Sequence, residues 1–109
     1  MRRVNEAVKE VLSEAITAGL KDPRIGFVTV TSVDTSPDLR SARVYVSVLG
    51  DEKARAETLD GLGRSRGFLQ SLLAGQLALK RTPHLTFVYD DSIERGMRME
   101  KILREIEKE

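Results

Sequence analysis

The stretch GRSRGFLQSLLAG, residues 63–75, decides how this chain is read. It holds Gly63, Gly67 and Gly75, and Gly61 stands just before it. Upstream, DEKARAETLD over 51–60 is a good helix former. Downstream, Phe68, Leu69, Leu72, Leu73, Leu77 and Leu79 recur at helical spacing. Each interior glycine costs a helix about 1 kcal/mol relative to alanine. Gly61, Gly63 and Gly67 together therefore predict a break or bend inside a helical span over 52–80, which Thr82-Pro83 closes. Two helices are expected to meet at Ser65-Arg66-Gly67, with Arg64 and Arg66 flanking the break. Gly75 lies inside the second helix and is expected to be a close-packing position.

Outward from this stretch the pattern is regular. Residues 2–18 form an amphipathic helix, with Val4, Val8, Val11, Leu12, Ala15 and Ile16 on one face and Glu6, Glu10 and Glu14 on another. Gly19 is a stop signal, and Asp22-Pro23 marks a turn. Residues 27–33 and 41–49 read as strands with a buried and a polar face. Val28 and Val30 oppose Thr29 and Thr31; Ala42, Val44, Val46 and Val48 oppose Arg43, Tyr45 and Ser47. Pro37 and Asp38 make the connection a long hairpin loop. A third strand, LTFVY over 85–89, puts Leu85, Phe87 and Tyr89 on one face. Asp91 or Ser92 can cap a last helical stretch, in which Met99, Ile102, Leu103 and Ile106 keep helical spacing. Helices on one face of a three-stranded sheet give an α+β fold. The expected organisation is one domain over 1–96 and a charged, flexible helical tail over 97–109.

The 109 residues include no cysteine and no tryptophan. Disulfides, thiolate zinc sites and cysteine nucleophiles are excluded, and the core must be aliphatic. A reducing, cytoplasmic location follows as an expectation. No apolar run approaches the roughly 18 residues of a membrane span. The net charge is only +1, but all 17 acidic residues lie outside Gly61–Tyr89. That window holds Arg64, Arg66, Lys80, Arg81 and His84, a basic segment suited to phosphates. A solvated helix face is the plainer explanation of the same charges.

Little here suits catalysis. His84 is the only histidine, and its place before a strand reads as structural. YDDS over 89–92 reads as turn and cap rather than as a magnesium site. There is no GxGxxG, no GxxG loop and no P-loop. The expectation is a binding module with no catalytic residue, no metal, no cofactor and no small-molecule substrate.

Several blocks carry a family resemblance: KDPRIG over 21–26, DLRSARVYVS over 38–47 and GFLQSLL with LKRTPHLTFVYDDS over 67–92. In this order, over nearly the whole chain, they resemble the ribosome-binding factor A family of bacterial small-subunit assembly proteins. The resemblance implies a type II K-homology-like domain: helix, two strands, helix, kink, helix, strand. In that family an Ala-x-Gly kink replaces the usual GxxG loop. The matching positions are Ser65-Arg66-Gly67, so serine stands where alanine is usual. A serine can bond to nearby backbone, which suits a break.

The resemblance further implies binding to the free 30S subunit, late 30S maturation, 5′-end processing of 16S rRNA without nuclease activity, and growth in the cold. The implied partners are the 30S subunit, 16S rRNA and its precursor, with other assembly factors as further candidates, and the protein is expected to be a monomer. The main RNA surface is expected at Arg64, Ser65, Arg66, Gly67, Lys80 and Arg81, with a weaker set at Arg2, Arg3, Lys21, Arg24, Arg40 and Arg43. Two other readings stay open. One is a protein–protein adaptor docking through the tail and the Glu6–Glu14 stripe. The other is a general single-strand RNA binder, for which Tyr45 alone is a poor stacking platform.

Overall fold

A computed structural model describes residues 2–20 and 22–107. The elements run α1 (Arg2–Ala18), β1 (Val28–Thr35), β2 (Ser41–Val48), α2 (Glu52–Arg64), α3 (Arg66–Gln76), β3 (His84–Tyr89) and α4 (Ser92–Glu107). The sheet order is β1-β2-β3. β1 and β2 form an antiparallel hairpin, and β3 joins β2 in parallel. A parallel pair needs a long crossover connection, and α2 with α3 supplies it.

The expected alternation holds along β2, where Ala42, Val44, Val46 and Val48 are all buried. In β1 it breaks. Val30 pairs with Val46 and Ser32 with Tyr45, so Thr31 is an extra residue in a bulge. The bulge restores the inward phase, so that Val30, Val33 and Thr35 are all buried, and pairing extends to Thr35 rather than stopping at Val33. Val8 and Leu12 of α1, Leu62 of α2, Leu69 and Leu73 of α3 and Leu85 of β3 close over the valine face. The core is aliphatic, as the composition requires.

Local chemistry sets the helix ends. Gly19 takes φ +98° at the end of α1, where a Cβ would be strained. Asp51 caps α2 by accepting from the Ala54 amide at 2.9 Å. The helical span ends earlier than the leucine spacing predicts. Leu77 is extended at φ −116°, ψ 137°, and Leu79, Lys80 and Arg81 lie in the loop before β3.

Helix α4 stands apart. It buries no residue and leaves Met97, Met99, Ile102, Leu103 and Ile106 exposed. The radius of gyration is 16.2 Å, against about 13 Å for a compact chain near this length. No described helix is long and apolar enough to cross a membrane.

Candidate nucleic-acid interface

The helix break falls on one residue, and it is not a glycine. Ser65 ends α2 and begins α3 at φ −86°, ψ 0°. Its amide is shared between the carbonyls of Gly61 and Leu62, at 3.1 Å each, and its own carbonyl accepts from Leu69 at 3.0 Å. The serine hydroxyl makes no capping bond, contrary to the expectation of a serine bonded to backbone. Gly63 lies inside α2 and Gly67 inside α3. Nothing approaches within 4 Å of where a Cβ would sit on Gly67 or Gly75. Gly75 is therefore not a close-packing position.

Gly61 is the close contact. A Cβ there would lie 2.7 Å from Ile25 Cγ1. The α1–β1 loop is pressed onto α2 at this point. The Gly26 amide donates to Thr58 Oγ1 at 3.3 Å, and Arg24 pairs with Asp60. This seating places Leu20 and Asp22 beside the break. Gly19, Leu20, Asp22, Arg64, Ser65 and Phe68 line a cleft of about 360 Å³. Phe68, which shares the helical spacing of the leucines, is 58% exposed at this cleft, while its neighbour Leu69 is fully buried.

The basic residues fall into distinct settings. Arg24 and Arg64 both face Asp60 Oδ2, Arg64 through Nε at 3.4 Å. Arg66 turns inward and donates through Nε to the Leu85 carbonyl at 2.7 Å. Arg43 pairs with Asp34 at 3.0 Å and Arg40 with Asp38 at 3.6 Å. Arg2, Arg3, Lys80 and Arg81 are exposed and form no ion pair among the described residues. Lys21 lies outside the described residues. Arg64, Arg66, Lys80 and Arg81, expected as one surface, thus have three different environments.

Arg2, Arg3, Lys80 and Arg81 belong to segments that lead to one end of the sheet. The His84 amide donates to the Arg40 carbonyl at 2.9 Å, and His84 lies opposite Ser41. The Thr35 amide donates to Asn5 Oδ1 at 2.9 Å, which holds the start of α1 at the same end. His84 and Asn5 thus sit at the hairpin end, with Lys80 and Arg81 in the loop that leads to β3 and Arg2 and Arg3 in the first turn of α1. The 17 residues of α1, about 25 Å of helix, separate Arg2 from the cleft at the break.

The polar face of the sheet gives little to bases. Among the described residues of the three strands, Tyr45 is the one tyrosine, phenylalanine or tryptophan on this face, and Asp34 neutralises Arg43 there. Asp90 Oδ2 accepts from the Thr31 hydroxyl at 2.7 Å, and its Oδ1 accepts from the Ser92 amide at 2.9 Å. The Thr31 hydroxyl, with the Ser92 amide next, holds the Asp90 carboxyl below the ordinary 3.8. His84 is the exposed first residue of β3. No group of three possible metal ligands occurs among the described residues.

A helix–break–helix unit without a Gly-x-x-Gly loop, laid on one face of a mixed three-stranded sheet, defines the class: a type II K-homology-like domain. The chain belongs to the ribosome-binding factor A family, whose family model matches residues 1–103. It is 54% identical to the ribosome-binding factor A of Anaeromyxobacter sp. (strain K) over 104 residues, which are 94% of this chain and 75% of that relative. It is similar to the crystal structure of ribosome-binding factor A from Thermus thermophilus, with TM-score 0.72, 32% identity, and coverage of 81% of this chain and 92% of that one. It is also similar to a homology model of the Thermus thermophilus protein fitted into a cryo-EM map of a complex with the 30S subunit. There the TM-score is 0.65 and the identity 32%, over 80% of this chain and 91% of that one.

Proposed function

We propose that this chain is a non-catalytic assembly factor that binds the free 30S subunit in the cytoplasm. It contacts 16S rRNA or its precursor as a monomer and promotes late maturation, including 5′-end processing by other enzymes. The observation that carries this reading is the likeness to the Thermus thermophilus protein fitted into a 30S complex.

The contact is electrostatic first. Arg2, Arg3, Lys80 and Arg81 have no acidic partner to displace among the described residues, so they reach phosphates at the lowest cost. Arg24, Arg40, Arg43 and Arg64 must first give up a carboxylate, and they contribute less. Phosphate contacts position a protein without reading sequence. Selectivity then comes from the shape of a folding rRNA junction, through unequal affinity for its immature and mature forms. The test is binding to purified 30S subunits over a range of salt. Replacing Arg2, Arg3, Lys80 and Arg81 by alanine is expected to lower the salt slope by roughly three, at about 0.7–0.9 per lost contact. An unchanged slope in a variant that still binds would remove this surface from the reading.

A second reading is favoured by α4, whose apolar residues are exposed. In it the chain also docks on a ribosomal protein or another assembly factor. Deleting residues 97–109 distinguishes the two. Loss of 30S binding with retained binding to bare rRNA supports the adaptor.

A further inference from the structure

We propose that the cleft at the α2–α3 break holds a single unpaired nucleobase, stacked on Phe68. This rests on the RNA-binding reading and adds a specific subsite to it. Phe68 is 58% exposed although it follows the break by only three residues and precedes a fully buried leucine. Its ring lines a cleft of about 360 Å³, within the range of small-ligand pockets. Leu20 continues the apolar wall.

The rim is polar, and part of its bonding capacity is unspent. The Ser65 hydroxyl makes no capping bond. Asp22 uses Oδ1 to accept from the Arg24 amide at 2.9 Å, which leaves the other carboxylate oxygen to accept from an amino group on a base edge. Arg64 stands beside them and can reach the phosphate of the same nucleotide once it gives up Asp60. Unpaired RNA bases are commonly held in this way, by stacking on an aromatic ring with hydrogen bonds to the base edge. An apolar protein side chain in the cleft would leave Asp22 Oδ2 and the Ser65 hydroxyl covered and without a partner, which is costly. The chemistry therefore favours a base.

The experiment uses the full chain bound to purified bacterial 30S subunits. Irradiation with ultraviolet light, digestion and mass spectrometry locate the crosslinks. A nucleotide adduct is expected on the tryptic peptide that begins at Gly67. Phe68→Ala is expected to weaken 30S binding roughly 5- to 150-fold, the equivalent of one lost stacking contact, whereas Phe68→Tyr retains it. Phe68 is outside the core, so both variants should keep the wild-type thermal transition. Wild-type affinity of Phe68→Ala, or a crosslink from this peptide to a ribosomal protein in place of a nucleotide, overturns the proposal and leaves 30S binding intact. Failure of the wild-type chain to bind 30S subunits overturns both.

Discussion

Arg66 Nε lies 2.7 Å from the backbone carbonyl of Leu85. With Gln70 Oε1 accepting from the Leu85 amide at 3.1 Å, α3 grips both polar groups of one β3 residue. Arg66 therefore ties the break to the sheet and does not extend a free charge into solvent. Hydrogen bonds to charged groups contribute about 1.5–3 kcal/mol. Arg66→Ala is expected to lower stability by about that amount in denaturant titrations. Its effect on the salt slope of 30S binding should be smaller than that of Lys80→Ala.

Gly61 and Gly67 should respond oppositely to alanine. At Gly61 the new methyl would sit 2.7 Å from Ile25 Cγ1, in a buried contact. Overpacking of this kind costs about 1–3 kcal/mol, more than the gain of about 1 kcal/mol in helix propensity. At Gly67 the space is open and the backbone helical, so Gly67→Ala should stabilise by about 0.5–1 kcal/mol. Thermal melts of the two variants check the signs.

These two positions show what the letters alone convey. A glycine cluster announces that a helix is interrupted, because propensity is local. It does not say which glycine is seated against a loop 36 residues earlier, because that contact is tertiary. The same limit explains Arg24 and Asp60, which pair across 36 positions and remove charge that a linear count treats as free. The valine alternation of β2 is legible because both its period and its burial are regular. The bulge at Thr31 leaves no local mark, since its use, a bond to Asp90, lies 59 residues away. The exposure of Phe68 is hidden because it shares the helical spacing of the leucines, and a stripe of leucines does not reveal where its edge falls.

The Thr31–Asp90 bond gives a pH dependence with a definite sign. The Asp90 carboxyl is held below the ordinary 3.8, first by the Thr31 hydroxyl and then by the Ser92 amide. A carboxylate lowered in the folded state adds stability above its unfolded value. That contribution is lost as pH falls through the folded value. Thr31→Val should therefore lower the melting temperature at neutral pH, and the gap from wild type should narrow as pH falls through the folded value, which lies below 3.8, leaving only the share of the Thr31 bond to the Tyr45 carbonyl. A gap of constant size into strong acid would refute the assignment.

Glu94 should act as the tether of α4. Its Oε1 accepts from Arg55 Nη2 at 3.1 Å and from the Tyr89 hydroxyl, while the Arg55 guanidinium lies 3.9 Å from the Tyr89 ring centroid. No residue of α4 is buried, so little else fixes the helix to the domain. An exposed ion pair contributes about 0–1 kcal/mol. Glu94→Ala should thus speed tryptic cleavage at Arg95 and Arg98 by up to about fivefold, with little change in the main thermal transition. The bond to Glu94 also raises the Tyr89 hydroxyl above its ordinary 10.0. Because the folded value is the higher one, the tether is intact below the unfolded value and lost as pH rises through the folded value. In wild type, tyrosinate absorbance and faster proteolysis of α4 should therefore emerge together in the alkaline range. In Glu94→Ala, Tyr89 should ionise at lower pH, and proteolysis should already be fast at neutral pH.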